Sequence, residues 1–276
     1  MRNLSVRDLA GLTREEAEIA IRSHVQTVYL GEKRVLSRIL GWPKIYLSTD
    51  DVGFAGHLML DGYWEIWLTL FMSRFVKPGM TVVDVGANFG YYTLLFGEAV
   101  GSRGLVVAVE PAPSTARLLA LSIELNGYTG FTALHEVALG RNASGEAHMY
   151  VPPHEPKNAL VVPAARPDAV KVKSTNLDTL LKGFERVDLI KIDAEGAELD
   201  IVSGMQAVIA EHQPAVVLEF NAHRYSDAKD FLSKLRTLFK RIRALRFDGS
   251  LVLAADDELL DPRSMEDSIP FLETRA

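Results

Sequence analysis

The 276-residue sequence contains no cysteine. That absence excludes disulfides, thiolate metal sites, iron–sulfur clusters and cysteine nucleophiles, and the simplest compartment for such a chain is the cytoplasm. Long hydrophobic runs are missing too. The greasiest early stretch, Ile66-Trp67-Leu68-Thr69-Leu70-Phe71-Met72, is too short to span a bilayer as a helix, and the first eight residues lack the apolar core of a signal peptide. No membrane partner is expected. Basic charge is not in excess: the formal net charge is −6, which argues against a protein that coats nucleic acid. There is no repeat and no low-complexity tract. The remainder, 48% apolar and 24% charged, is ordinary for a globular protein and sufficient for a sizeable core.

Residues 1–75 read as an N-terminal cap. Thr13, with Glu16 three residues on, opens a helix through a capping box. Ala17, Ala20, Ile21, Val25 and Val28 give it one apolar face. Gly31 breaks it, and a second short helix carries Val35, Leu36, Ile39 and Leu40 as far as Pro43. Residues 44–61 read as short strands or an ordered loop, and a further helix runs from about Gly62 to Phe75. Such helices need something to bury against. Their expected use is to cover the substrate side of the next domain, by a lid or acceptor-site wall, with homo-oligomer contact as the alternative.

From residue 76 to 276 the pattern becomes α/β. Thr81–Val85, Leu105–Val109, Thr132–Leu139, Val187–Ile192 and Ala215–Phe220 are apolar strands, separated by helices over Tyr91–Val100, Ser114–Leu125, Leu199–Ile209 and Ala228–Phe239. Near-continuous apolar strands alternating with helices imply a mostly parallel sheet covered on both faces. Gly145–Val151 and Val170–Lys173 read as an antiparallel excursion. The segment 152–167 between them holds five prolines, with Lys157 and Asn158 near its middle, and reads as a loop that walls or covers a site. Ile242–Phe247 and Leu251–Ala254 flank Asp248-Gly249, a hairpin turn.

The loop Asp84-Val85-Gly86-Ala87-Asn88-Phe89-Gly90 follows the first parallel strand, where open α/β sheets bind ligands. Tyr91-Tyr92 follows Gly90 where a P-loop has lysine and then serine or threonine, so it is not a P-loop. Counted from Gly86, the second and third glycines of a dinucleotide fingerprint fall on Asn88 and Tyr91, so that reading fails as well. Asp84 would suit an ammonium better than a pyrophosphate, which points to S-adenosylmethionine, a cofactor that carries an ammonium and a sulfonium and no phosphate. Glu110, at the end of the second strand, can accept from both ribose hydroxyls, and Glu136-Val137-Ala138 supplies the expected adenine wall.

With Glu110-Pro111, Val137-Ala138-Leu139, Asn176-Leu177-Asp178 and the block from Ile190 to Glu198, these motifs resemble the FkbM family of class I S-adenosylmethionine-dependent methyltransferases over roughly residues 78–220. The resemblance implies a Rossmann-like methyltransferase fold, with a mostly parallel seven-stranded sheet and a terminal antiparallel hairpin strand. It implies S-adenosylmethionine as methyl donor, S-adenosylhomocysteine as product, and Asp84, Gly86, Asn88, Gly90, Glu110, Glu136, Ala138 and Asp193 as cofactor residues. Glu65 sits where a glutamate commonly precedes the cofactor domain, and could meet the methionine ammonium or hold the lid. The implied reaction is O-methylation of a sugar, polyketide or other secondary metabolite.

Methyl transfer to a neutral alcohol calls for a base. Asp193 and Glu195, after the fourth strand, are the first candidates, and His223 the next because its pKa lies near neutrality. Glu195, Glu219 and Asn221 are candidate acceptor-binding residues. Asp193, Glu219 and Asn221 could alternatively hold a divalent metal such as magnesium, which is not the favoured reading. His57, His148 and His154 are candidate pocket histidines. Seven lysines and arginines against one acid between Lys229 and Arg246 read as the wet face of an amphipathic helix rather than a nucleic-acid patch. Two alternatives to small-molecule O-methylation stand beside it: methylation of nitrogen or of a macromolecule, and a non-catalytic interaction protein built on the same fold.

Overall fold

The N-terminal part begins as its sequence suggests and then departs from it. The computed structural model describes residues 4–153, 159–162, 164, 166–261 and 267–274. Thr13 caps the helix Arg14–Arg22: its hydroxyl accepts from the Glu16 N–H and Glu16 reaches back to the Thr13 N–H. The helix ends there. Thr27–Gly31 (β1), Arg34–Arg38 (β2) and Lys44–Ser48 (β3) form an antiparallel three-stranded sheet. The expected helix over Val35–Leu40 is therefore a strand. Gly31, Glu32 and Lys33 all take positive φ and turn the chain back on itself. Val35 and Ser37 are buried while their neighbours are less so, the period of two of a strand. Val28 belongs to β1, not to a helix face. Residues 54–61 form a helix, and the next helix starts at Ile66 rather than Gly62, because Gly62 adopts the left-handed conformation that closes the preceding helix.

The main sheet begins with Thr81–Val85 (β4), Leu105–Val109 (β5) and Thr132–His135 (β6). A second sheet follows, made of Ala138–Leu139 (β7), Gly145–Tyr150 (β8), Leu160–Val162 (β9) and Val170–Thr175 (β10). The third strand read from sequence thus stops at His135, and Ala138-Leu139 pairs with β10 in the other sheet. Leu189–Ile192 (β11), Ala215–Leu218 (β12), Arg241–Leu245 (β13), Leu251–Leu253 (β14) and Pro270–Glu273 (β15) complete the main sheet, ordered β14-β13-β15-β12-β11-β4-β5-β6.

This is the Rossmann-like arrangement with one strand more than expected. The Asp248-Gly249 turn does close a hairpin, but its second strand, β14, lies at the sheet's edge. The antiparallel strand inside the sheet is β15, wedged between β12 and β13. The expected helix over Leu199–Ile209 is two, Glu198–Ser203 and Gln206–His212, divided at Gly204. A Cβ on Gly204 would stand 2.2 Å from the Gly140 carbonyl oxygen, so this close approach admits only glycine.

The strands are apolar on both faces for a visible reason. Val82, Val106, Leu189 and Val217 pack on one side with the N-terminal elements, whose Val6, Leu9, Ile21, Leu58 and Leu68 share that core. Val83, Val85, Ile190, Ile192 and Leu218 pack on the other side against the helices after β11 and β12. Strand order reverses at β4, between β5 and β11, which opens a crevice at the carboxyl ends of these strands.

Candidate active site

A cavity of about 410 Å³ occupies that crevice. Gly86, Ala87 and Asn88 form its floor after β4, Glu110 and Pro111 follow β5, Asp193 to Glu195 follow β11, and Glu219 follows β12. Phe54, Trp64 and Glu65 close it from the N-terminal part. Ala138, Leu139, Met149, Ala159 and Val161 add an apolar wall from the second sheet.

The glycine loop is shaped by contacts rather than by composition. Gly86 has φ 73°, and its N–H and that of Ala87 both donate to the Val109 carbonyl at 3.0 Å. A Cβ on Gly90 would stand 2.4 Å from Leu119 Cδ1, so glycine there lets the following helix sit against its neighbour. Asn88 is left-handed, with φ 51°. Its N–H donates to Glu110 Oε2 at 2.8 Å, and the Ala112 N–H donates to Glu110 Oε1 at 2.9 Å. Burial pushes the Glu110 carboxyl up to about 7, although both N–H groups favour its charge.

Asp84 lies beneath the cavity and not on its wall. It is fully buried, accepts from Thr93 Oγ1 at 2.6 Å, and has Lys191 Nζ 3.9 Å from its other oxygen. Burial raises its pKa, against Lys191 and Thr93, which lower it. Its place in the fold is that of a buried counter-ion, not of a group reaching an ammonium in the cavity. Lys191 is the one ion in an otherwise apolar strand. It donates to Asp193 Oδ2 at 3.1 Å and lies over the Tyr92 ring. Burial opposes its charge, but Asp193 and Asp84 outweigh that and hold the ammonium well above its ordinary value.

After β11 the chain makes a tight loop. Glu195 takes φ 50°, and Glu198 ties the loop down by accepting from the Ala194 and Gly196 N–H groups at 3.0 and 3.1 Å and from the Tyr225 hydroxyl at 2.6 Å. Glu198 is fully buried and structural. Arg224 gathers three acids from three segments: Glu219 at 2.6 Å, Glu195 at 3.2 Å and Asp267 at 3.3 Å. Glu65 is left-handed (φ 39°) at the start of its helix and accepts from the Tyr92 hydroxyl at 3.0 Å. Burial and then Asp193 push its carboxyl up to about 7. Glu65, Asn88 and Glu195, three strained non-glycine residues, all line the cavity.

Of the residues expected from sequence, Glu65, Gly86, Asn88, Glu110, Ala138, Asp193, Glu195 and Glu219 meet at this cavity. Gly90 and Asp84 support it from below. Glu136 is exposed and off the wall, because the chain leaves β6 at His135 and turns Val137 and Ala138 inward instead. His223 is exposed and off the wall, and Asn221 turns its amide to Asp267. His57 pairs with Asp61 and His148 lies in β8, neither on the wall; His154, Lys157 and Asn158 fall outside the described residues.

Sequence reasoning passed over Arg224, Lys191 and Asp267. A lone lysine inside Ile190-Lys191-Ile192 was the legible signal of a buried charge needing partners; Asp267 gave none. Among the described residues no group of three or more histidines and acids is placed to hold a metal. Asp193, Glu219 and Asn221 are engaged by Lys191, Arg224 and Asp267 respectively. No helix among the described residues is long and apolar enough to cross a membrane.

The Protein-L-isoaspartate O-methyltransferase of Aeropyrum pernix is 37% identical over 95 residues, covering 34% of this chain and 34% of that protein. Methyltransferase 1 of Beauveria bassiana is 28% identical over 146 residues, 45% of this chain and 57% of its own length. The crystal structure of methyltransferase FkbM from Methylobacillus flagellatus is similar at 17% identity and a TM-score of 0.46, covering 70% of this chain and 43% of that one. The chain spans about a third to three-fifths of the length of these proteins. Residues 84–248, more than half of the chain and all of the cavity floor, match the methyltransferase FkbM domain, and the chain belongs to that family.

Proposed function

We propose that this protein transfers the methyl group of S-adenosylmethionine to a hydroxyl of a small molecule. One observation carries the reading: a single cavity collects the Gly86–Asn88 turn, the buried Glu110 carboxyl and the acids Asp193 and Glu195. The donor set suits the cofactor. Glu110, fixed by two backbone N–H groups, keeps lone pairs for ribose hydroxyls. Asp193 and Glu65 supply negative charge for an ammonium and a sulfonium, and Val137 and Ala138 an apolar wall for adenine.

S-adenosylmethionine, when bound, supplies an electrophilic methyl carbon whose bond to sulfur breaks as the new bond to oxygen forms. The chain's own part is alignment and removal of the acceptor's proton. Asp193 and Glu195 stand on the wall where that proton would be taken. His223 faces solvent and is a poorer candidate. Residues 1–75 act as the cap over this cavity, through Phe54, Trp64 and Glu65, and residues 76–276 hold the cofactor.

The cavity volume is of the class that takes small molecules. Its wall carries Glu65, Glu110, Asp193, Glu195, Glu219 and Asp267 against Lys191 and Arg224, an acid excess that disfavours a carboxylate acceptor. A neutral sugar or polyketide hydroxyl is the acceptor class it fits. The test is transfer of labelled methyl from S-adenosylmethionine to a panel of sugar and polyketide alcohols set beside peptide carboxylates and amines. Labelling of the alcohols supports the reading; exclusive labelling of amines or peptides overturns it.

A further inference from the structure

Asp193 and Glu219 leave the tips of neighbouring parallel strands, β11 and β12, whose register pairs Ile192 with Leu218. The two acids follow these paired strand ends directly and stand side by side at the cavity. Both line the large cavity and also a void of about 10 Å³ bounded by Glu65 and Lys191, the size of one water molecule. Five acids, Asp193, Glu219, Glu195, Asp267 and Glu65, gather here around two cations, Lys191 and Arg224, and a proton on one of two adjoining carboxyls relieves their repulsion.

The surroundings decide which. Lys191 donates to Asp193 Oδ2 at 3.1 Å and is farther, 3.9 Å, from Asp84. Arg224 donates to Glu219 Oε2, but its charge is shared with Glu195 and Asp267. Glu65 adds negative charge from the N-terminal side. Asp193 has the less divided cation and the more open position, 34% exposed against 13% for Glu219.

We propose that Glu219 is a proton-bearing positioning residue, whose carboxyl donates to Asp193 and holds the Asp193 charge toward the acceptor hydroxyl. This rests on the methyl-transfer reading of the same cavity. In the transfer the acceptor O–H bond breaks and its proton passes to the Asp193 carboxylate, while the O–C bond forms and the C–S bond breaks. Burial and the neighbouring Asp193 agree with the assignment, pushing Glu219 up to about 11, whereas Asp193, against the cost of desolvation, is held below its ordinary value by Lys191.

Infrared difference spectroscopy on the full chain at about pH 9 tests it, because Glu65 and Glu110 ionise near 7 and are silent there. The spectrum of the wild type minus Glu219→Gln is expected to show a protonated-carboxyl stretch. Asp193→Asn is expected to abolish that band, since Glu219 then ionises against Arg224. Glu219→Gln, which can donate to Asp193 and accept from Arg224, is expected to keep the wild-type melting temperature, and Glu219→Ala to lower it. Absence of the band, or its persistence in Asp193→Asn, overturns the assignment. Calorimetry with S-adenosylhomocysteine on the same samples separates the two readings: failure to bind overturns the methyl-donor reading and leaves the band as it is.

Discussion

Gly86 and Asp193 are packed so closely that a Cβ on Gly86 would stand 1.7 Å from the Asp193 backbone oxygen. The turn after β4 and the acid-bearing loop after β11 are thus locked to each other, and φ 73° at Gly86 penalises any side chain in its own right. Gly86→Ala is expected to destabilise the protein by about 3 kcal/mol and to lower its melting temperature by roughly 6–12 °C, measured by thermal denaturation. A variant that melts like the wild type would mean the two loops can separate freely.

Arg224 holds Glu195, Glu219 and Asp267 together. Removing it leaves partly buried acids without their cation, so Arg224→Ala is expected to cost about 2–4 kcal/mol, read by urea unfolding. Arg224→Lys, with one compact charge in place of a fork, is expected to recover only part of that.

Glu98, in the helix Tyr91–Val100, ties down the short helix Val6–Leu9 by accepting from the Val6 N–H at 2.9 Å, while its other oxygen is buried without a hydrogen bond. Burial pushes its carboxyl from 4.5 up to about 7, with Asp8 adding to the rise and the Val6 N–H and Arg7 opposing it. The folded chain then holds a proton that the unfolded chain has released, so this contribution to stability is full below the unfolded value and lost as pH rises through about 7. Glu98→Gln, which keeps the acceptor for Val6, is expected to raise the melting temperature by several degrees at about pH 8 and by much less at about pH 5. Equal effects at both would contradict it.

Asp193 and His223 are the candidate bases that a rate comparison separates. His223 is exposed and off the cavity wall; Asp193 is on it. Asp193→Asn is expected to cut turnover by about 10²–10⁴, and His223→Ala to change it by less than about twofold. Steady-state rates of labelled methyl transfer measure both, and the reverse ranking would move the base to the histidine.

How far the sequence could be read depends on what each element answers to. The strands around β4, β5, β11 and β12 are runs of Val, Ile and Leu buried on both faces, and such runs announce themselves. Val35 to Leu40 misleads, because its apolar residues suit a helix period while the left-handed turn at Glu32 and Lys33, which no composition marks, makes a hairpin. β15 is short and opens with Pro270, and its place between β12 and β13 is set by tertiary pairing alone. In the site, Glu110 and Asp193 are legible because they end apolar strands. Asp84 lies one residue inside the end of β4, and it points beneath the cavity to Thr93 and Lys191. Arg224 and Asp267 come together only through the fold, 43 residues apart in sequence.

Isothermal titration of S-adenosylhomocysteine into the wild-type chain and into Glu110→Ala tests the central claim most directly. Saturable binding at one site in roughly the micromolar range, weakened at least about tenfold by loss of the Glu110 carboxylate, is the expected result. No detectable binding by the wild type, or equal binding by both proteins, would contradict the assignment of this cavity to the methyl donor.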